Sequence, residues 1–147
     1  MIWLTALRRY LAATAVLDLV WETLQLPLYT IWRDGMVRAK AFAILHCTAG
    51  DLRIALALLV GALVAVGDPA WPGRRFGGVA ILTILGGLAY TVFSEWLNVE
   101  VRRSWAYSPL MPVLPSFGTG LSPVLQWLTI PTLALWAAHR ADSEPRT

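Results

Sequence analysis

Charge is scarce in this sequence. Only 14% of its 147 residues are Asp, Glu, Lys or Arg, against about 25% in an ordinary soluble domain. Charges this sparse do not cover a water-facing surface. With 57% apolar residues, they exclude a disordered chain and a soluble nucleic-acid reader, and no basic stripe points to a nucleic-acid partner. The single cysteine, Cys47, excludes an intrachain disulfide scaffold. Sustained alternation of apolar and polar residues is also missing, so membrane-spanning strands are not expected.

Long apolar runs are plentiful. They cover about 10–31, 41–66, 76–97 and 121–138. A hydrocarbon core about 30 Å thick takes roughly 20 helical residues. The chain therefore reads as all-α, a polytopic membrane protein forming one integral membrane domain over 1–147, a four-transmembrane-helix bundle. Arg33-Asp34-Gly35, Gly67-Asp68-Pro69 and Trp71-Pro72-Gly73 break the runs. Ser122-Pro123 is expected to cap and open the fourth helix. Pro27 and Pro131 are expected to kink the helices that hold them.

The connection from Arg102 to Gly120 carries Pro109, Pro112 and Pro115 among Trp105, Tyr107, Met111 and Phe117. A Pro- and aromatic-rich loop between helices 3 and 4 is expected to lie in the interface or fold back as a cap. Trp3, Trp32, Trp71 and Trp105 fall near predicted helix ends, where indoles prefer the headgroup region. The first apolar run is read as a retained helix, because Met1–Leu7 precede Arg8-Arg9, the reverse of a signal peptide's charge order. Residues 141–147 read as a short polar tail. Arg8, Arg9, Arg74, Arg75, Arg140 and Arg146 on one side face Arg33, Arg38, Lys40, Arg102 and Arg103 on the other. This small excess places the termini in the cytoplasm, in a bacterial inner membrane.

The strongest signal is a set of polar side chains inside the runs, each expensive at membrane depth. Thr14, Asp18, Glu22, Gln25 and Tyr29 share one helical stripe. In the second run His46, Gly50, Arg53, Ala57 and Gly61 form another, with Asp51 turned away from His46 or capping a helix broken at Ala49-Gly50. Gly87, Thr91, Glu95 and Asn98 form a third, and Gln126 lies one turn inside the fourth helix. Antiparallel threading puts Glu22, Gln25, Tyr29, His46, Asp51, Glu95, Asn98 and Gln126 in one half of the membrane. Asp18, Glu22, Asp51 and Glu95 outnumber the one permanent cation among them, Arg53. Acids so placed must keep protons, pair with Arg102 or Arg103, or bind a cation.

These residues imply a one-sided polar cavity for a lipid or lipophilic small molecule, with acid–base chemistry of isomerase or hydrolase type. Glu22, His46 and Glu95 are the candidate catalytic groups. Gln25, Tyr29, Asp51, Arg53, Asn98, Trp105, Tyr107 and Gln126 are candidate ligand contacts. No cofactor is indicated by a motif. Glu22, His46 and Glu95 are the ligands if a metal binds. Two other readings stand beside this one. One is an accessory or structural subunit with partner membrane subunits or further copies of the chain. The other is an ion or proton pathway.

Overall fold

A computed structural model describes residues 2–140. The predicted polar tail and Arg146 lie outside the described residues. Among those residues the chain is all-helical. It runs α1 (Ile2–Gln25), α2 (Ile31–Asp34), α3 (Val37–Val66), α4 (Phe76–Glu95) and α5 (Leu121–His139). Four of these segments are long and apolar enough to cross a membrane: Ile2–Leu28, Val37–Val66, Phe76–Val101 and Leu121–His139. The long helices close a ring in which α1 packs on α3 and α5, and α4 packs on α3 and α5. Each follows its predecessor in the opposite direction, so α1 lies diagonal to α4 and α3 diagonal to α5.

Local chemistry explains the helix ends. α1 begins at Ile2 rather than near Tyr10, and it carries Arg8 and Arg9 within its length. Pro27 ends α1 instead of kinking it. Without an N–H, its nitrogen cannot continue the helical ladder, and the chain tightens into a 3₁₀ turn over Leu26–Leu28. Pro131 stays inside α5, which continues to His139. Gly67 ends α3, where a Cβ would overlap the Leu63 carbonyl oxygen. The last turn of α4 widens into a π-helix over Trp96–Val101, and the Arg102 N–H reaches back to the Leu97 carbonyl at 2.8 Å.

Inward faces follow the stripes. α1 buries Ala6, Tyr10, Thr14, Asp18, Glu22 and Gln25, extending the predicted stripe by two turns toward the N-terminus. α4 buries Val79, Thr83, Gly87, Thr91 and Glu95. Gly87 is needed there for space, because a Cβ would overlap the Trp127 ring. α3 differs from the sequence expectation. His46, Arg53, Ala57 and Gly61 are exposed, and the buried residues are Ala55, Leu59 and Ala62. The inward register instead runs through Cys47, Asp51, Ala55 and Leu59. The helix is continuous through Ala49-Gly50, so Asp51 is not a cap.

Two smaller expectations also change. α5 starts at Leu121 after Gly120, without a side-chain cap. The Ser122 hydroxyl instead donates to Gln25 at 2.8 Å. Trp71, expected in the headgroup layer, belongs to the buried core with Leu59, Val79 and Leu135.

Candidate functional site: an acid-lined cleft between α3 and α4

The C-terminal half of α3 packs tightly into the bundle, and its N-terminal half packs loosely. None of residues 37–54 is fully buried, although Asp51 reaches Gln126 and the Thr48 hydroxyl is enclosed. The space beside them is a cleft of about 690 Å³ between α3 and α4, within the range that holds small ligands. Phe42, Ala43, His46 and Cys47 line one wall, and Tyr90, Ser94, Glu95 and Asn98 the other. Glu22, Gln25 and Tyr29 close it from α1, and Gln126 and Trp127 from α5.

At the inner end, one amide organises the acids. Gln126 Nε2 donates toward Asp18 Oδ1 at 3.0 Å, Glu22 Oε1 at 3.1 Å and Asp51 Oδ2 at 3.0 Å. Gln126 Oε1 accepts from Gln25 Nε2 at 3.2 Å, and that nitrogen also donates to Glu22 Oε1 at 2.8 Å. Ser122 Oγ donates to Gln25 Oε1 and accepts from Trp21 Nε1 at 3.2 Å. An amide nitrogen has two hydrogens, fewer than the three carboxyl oxygens around it. Glu22 and Asp51 therefore share one donor nitrogen, which brings acids of α1 and α3 together.

Glu95 belongs to a second group. It accepts a hydrogen bond from the Tyr107 hydroxyl, which itself accepts from the Gly120 N–H at 2.9 Å. The Trp105 indole N–H lies near Glu95 without completing a hydrogen bond, and it is buried. Tyr29 and Tyr107 pack with ring centres 5.7 Å apart. Both phenols are pushed above their ordinary range. Burial is the main cause for each, followed by the neighbouring Glu95.

Backbone pairing holds the Pro-rich segment against the α1 end. The Thr30 N–H donates to the Ala106 carbonyl at 3.0 Å, and the Ser108 N–H to the Leu28 carbonyl at 2.8 Å. Ser108 Oγ also donates to the Pro27 carbonyl, at 3.0 Å. Pro27 freed this stretch from the helix, leaving its carbonyls for the segment. A hairpin follows, with Leu114 N–H to Thr119 and Leu121 N–H to Pro112, at 2.8 and 2.7 Å.

Most of the residues expected from sequence meet here. Glu22, Gln25, Tyr29, His46, Asp51, Glu95, Asn98, Trp105 and Gln126 all border the cleft. Tyr107 stands behind Glu95 rather than on the cleft surface. His46 sits at the outer rim, stacked on Phe42 with ring centres 5.3 Å apart. Arg53 lies exposed on the outer face of α3 and makes no ion pair with Glu22 or Asp51 among the described residues. Arg53 is two residues past Asp51 and so is turned off its face. Asp18 is buried below the cleft, where with Thr14 it borders a void of about 10 Å³.

Several lining residues escaped the sequence-based site: Thr91 as a contact, and Cys47, Tyr90, Ser94 and Trp127. Cys47 and Ser94 each sit one residue from a residue already singled out, so helical register was the only signal for them. Among the described residues, no three His, Cys, Asp or Glu side chains converge as a metal-binding group. Glu22, His46 and Glu95 share the cleft without forming a ligand set. Comparison with protein-family models, curated proteins and solved structures gives no match.

Proposed function

We propose that the protein binds a lipophilic small molecule or lipid in the α3–α4 cleft and exchanges protons with it through Glu22 and Glu95. The observation that supports this most directly is the cleft, about 690 Å³ with carboxyl groups at its inner end. Its outer rim carries Phe42, 66% exposed, and Tyr90, 37% exposed. Apolar walls suit a hydrocarbon body, and the acids with Gln25 and Gln126 suit a polar head. Glu22 and Asp51 share the Gln126 amide nitrogen, and Glu95 accepts from the Tyr107 hydroxyl, so each has a neighbouring group that can take part in proton exchange. In a bacterial inner membrane with cytoplasmic termini, the cleft opens in the outer half of the bilayer.

Two features argue against a through-going proton path. Thr83 spends its hydroxyl on the Val79 carbonyl at 2.8 Å, and the surrounding core of Leu59, Val79 and Leu135 is apolar.

Gly50 provides the test. It borders the cleft, and a Cβ placed there meets nothing within 4 Å. Gly50→Leu adds a side chain at the cleft, its Cβ entering open space. Mass spectrometry of lipid extracts from purified protein is expected to show a co-purifying molecule in the wild type and its loss in this variant. Glu22→Gln and Glu95→Gln are expected to abolish its turnover. Identical extracts from wild type and Gly50→Leu would overturn the binding reading.

A further inference from the structure

Among the described residues, the cleft lining holds more acids than permanent cations. Glu22, Asp51 and Glu95 border it, while Arg102 is exposed at its mouth and His46 stands at the outer rim. Arg53, the cation nearest in sequence to these acids, faces away. Aromatic rings line the same space: Tyr29, Phe42, Tyr90, Trp105 and Trp127. Carboxyl groups combined with aromatic faces form the chemistry that recognises an organic ammonium ion.

We propose that the occupant of the cleft is an amphiphile with an ammonium head, its hydrocarbon chain lying between α3 and α4. This identifies the ligand class for the binding reading above and rests on it. The head stands among Glu22, Asp51 and Glu95. Glu22 shares one oxygen between Gln25 and Gln126, and Glu95 commits one to Tyr107. Each keeps a second oxygen able to accept from an N–H donor. An anionic head meets three acids and is repelled. A neutral alcohol satisfies a lone pair but brings no counter-charge to acids held away from water. An ammonium does both. The chain leaves through the open side, because residues 37–54 of α3 do not seal against the bundle.

The test measures tryptophan fluorescence, since Trp105 and Trp127 border the cleft. Purified full-length protein in neutral maltoside micelles is titrated with dodecylammonium, dodecanol and dodecanoate. Dodecylammonium is expected to bind saturably and about tenfold more tightly than either of the others. Glu22→Gln with Glu95→Gln is expected to remove that preference, so that dodecylammonium binds no more tightly than dodecanol. Phe42→Leu with Tyr90→Leu, at the exposed rim, gives an independent reading if the acid variant does not fold. It weakens dodecylammonium more than dodecanol. Displacement of the probe by phosphatidylethanolamine nanodiscs assigns the ammonium to a membrane lipid. Retention of the probe assigns it to a free lipophilic amine.

Equal affinity for all three probes overturns the ammonium head and leaves the cleft reading intact. Unchanged preference in folded Glu22→Gln/Glu95→Gln protein does the same. Absence of saturable binding by any probe overturns the cleft reading, and the ammonium proposal with it.

Discussion

Gln126 reaches across the bundle to Asp51, its amide nitrogen 3.0 Å from the Asp51 carboxyl. The bond ties α5 to α3, which occupy diagonal corners of the helix ring. The same nitrogen also holds Asp18 and Glu22 of α1. One neutral side chain therefore fixes three acids from two other helices.

Gln126→Leu keeps the side-chain volume nearly constant and removes every one of these hydrogen bonds. Buried polar groups left without partners cost about 1–3 kcal/mol each, while interhelical hydrogen bonds in membranes average about 0.6 kcal/mol. Because several bonds break together, the expected destabilisation is about 2 kcal/mol. Reversible unfolding in mixed micelles measures it. A loss no larger than that of one average bond would show that the three acids find other donors.

The polar stripes of α1 and α4 were legible in the sequence because a buried polar residue in an apolar run stands out against its neighbours. Four-residue spacing then assigns it a face. α3 was harder to read. Its outer face also carries polar and small residues, His46, Arg53 and Gly61, so contrast alone favoured the wrong stripe. The correct face holds Cys47 and Ala55, which look ordinary in a membrane helix. The cleft itself was not legible either. It arises because the N-terminal half of α3 packs loosely, and that depends on how three other helices meet. Pairing of 27–30 with 106–108 was hidden for a related reason, since it joins residues about 80 positions apart without a periodic pattern.

Arg53 offers a direct check of the α3 register. It is exposed and unpaired with the buried acids. Arg53→Gln is expected to change stability by no more than about 0.5 kcal/mol and to leave ligand binding unchanged. Asp51→Leu, two residues away, is expected to impair both. Parallel melts and binding curves for the two variants decide the register. A larger effect from Arg53 would place the inward face back on His46 and Arg53.

Close packing of α4 on α5 depends on Gly87. Adding a methyl group there forces Trp127 to move, because the new Cβ would overlap its ring. Overpacking of this kind costs about 1–3 kcal/mol. Gly87→Ala is expected to destabilise by that amount and to alter the fluorescence of Trp127, which also borders the cleft. Gly77→Ala is the control, since a Cβ there meets nothing within 4 Å. Equal stability of the two variants would mean that α4 and α5 separate without cost.

Tyr107 carries a pH dependence with a defined sign. Burial and Glu95 raise its phenol in the folded protein, whereas an unfolded tyrosine titrates near pH 10. Above about pH 10 the unfolded chain releases this proton while the folded one retains it, so stability falls as pH rises. Below that pH the contribution is fully present. Tyr29 acts in the same direction for the same main reason. Tyr107→Phe is expected to reduce the loss measured by thermal melts between about pH 9 and 11. It is also expected to lower stability near neutral pH by about 1 kcal/mol, since it loses the bonds to Glu95 and Gly120. An unchanged alkaline slope in this variant would assign the dependence to other groups.

Cys47 gives the cleft a chemical probe. It is the chain's only cysteine, partly buried and on the cleft wall. A small, membrane-permeant thiol reagent is expected to label it, and Gly50→Leu, one turn further along α3, is expected to block that labelling by filling the adjoining space. A bound amphiphile should protect the thiol at the concentrations that quench tryptophan fluorescence. Thr5→Cys in a Cys47→Ala background, on an exposed α1 position far from the cleft, controls for general reagent access and should be indifferent to both. The decisive comparison is the ratio of the two labelling rates with and without amphiphile. A ratio that does not change places the amphiphile outside the cleft, whereas protection confined to Cys47 places it between α3 and α4.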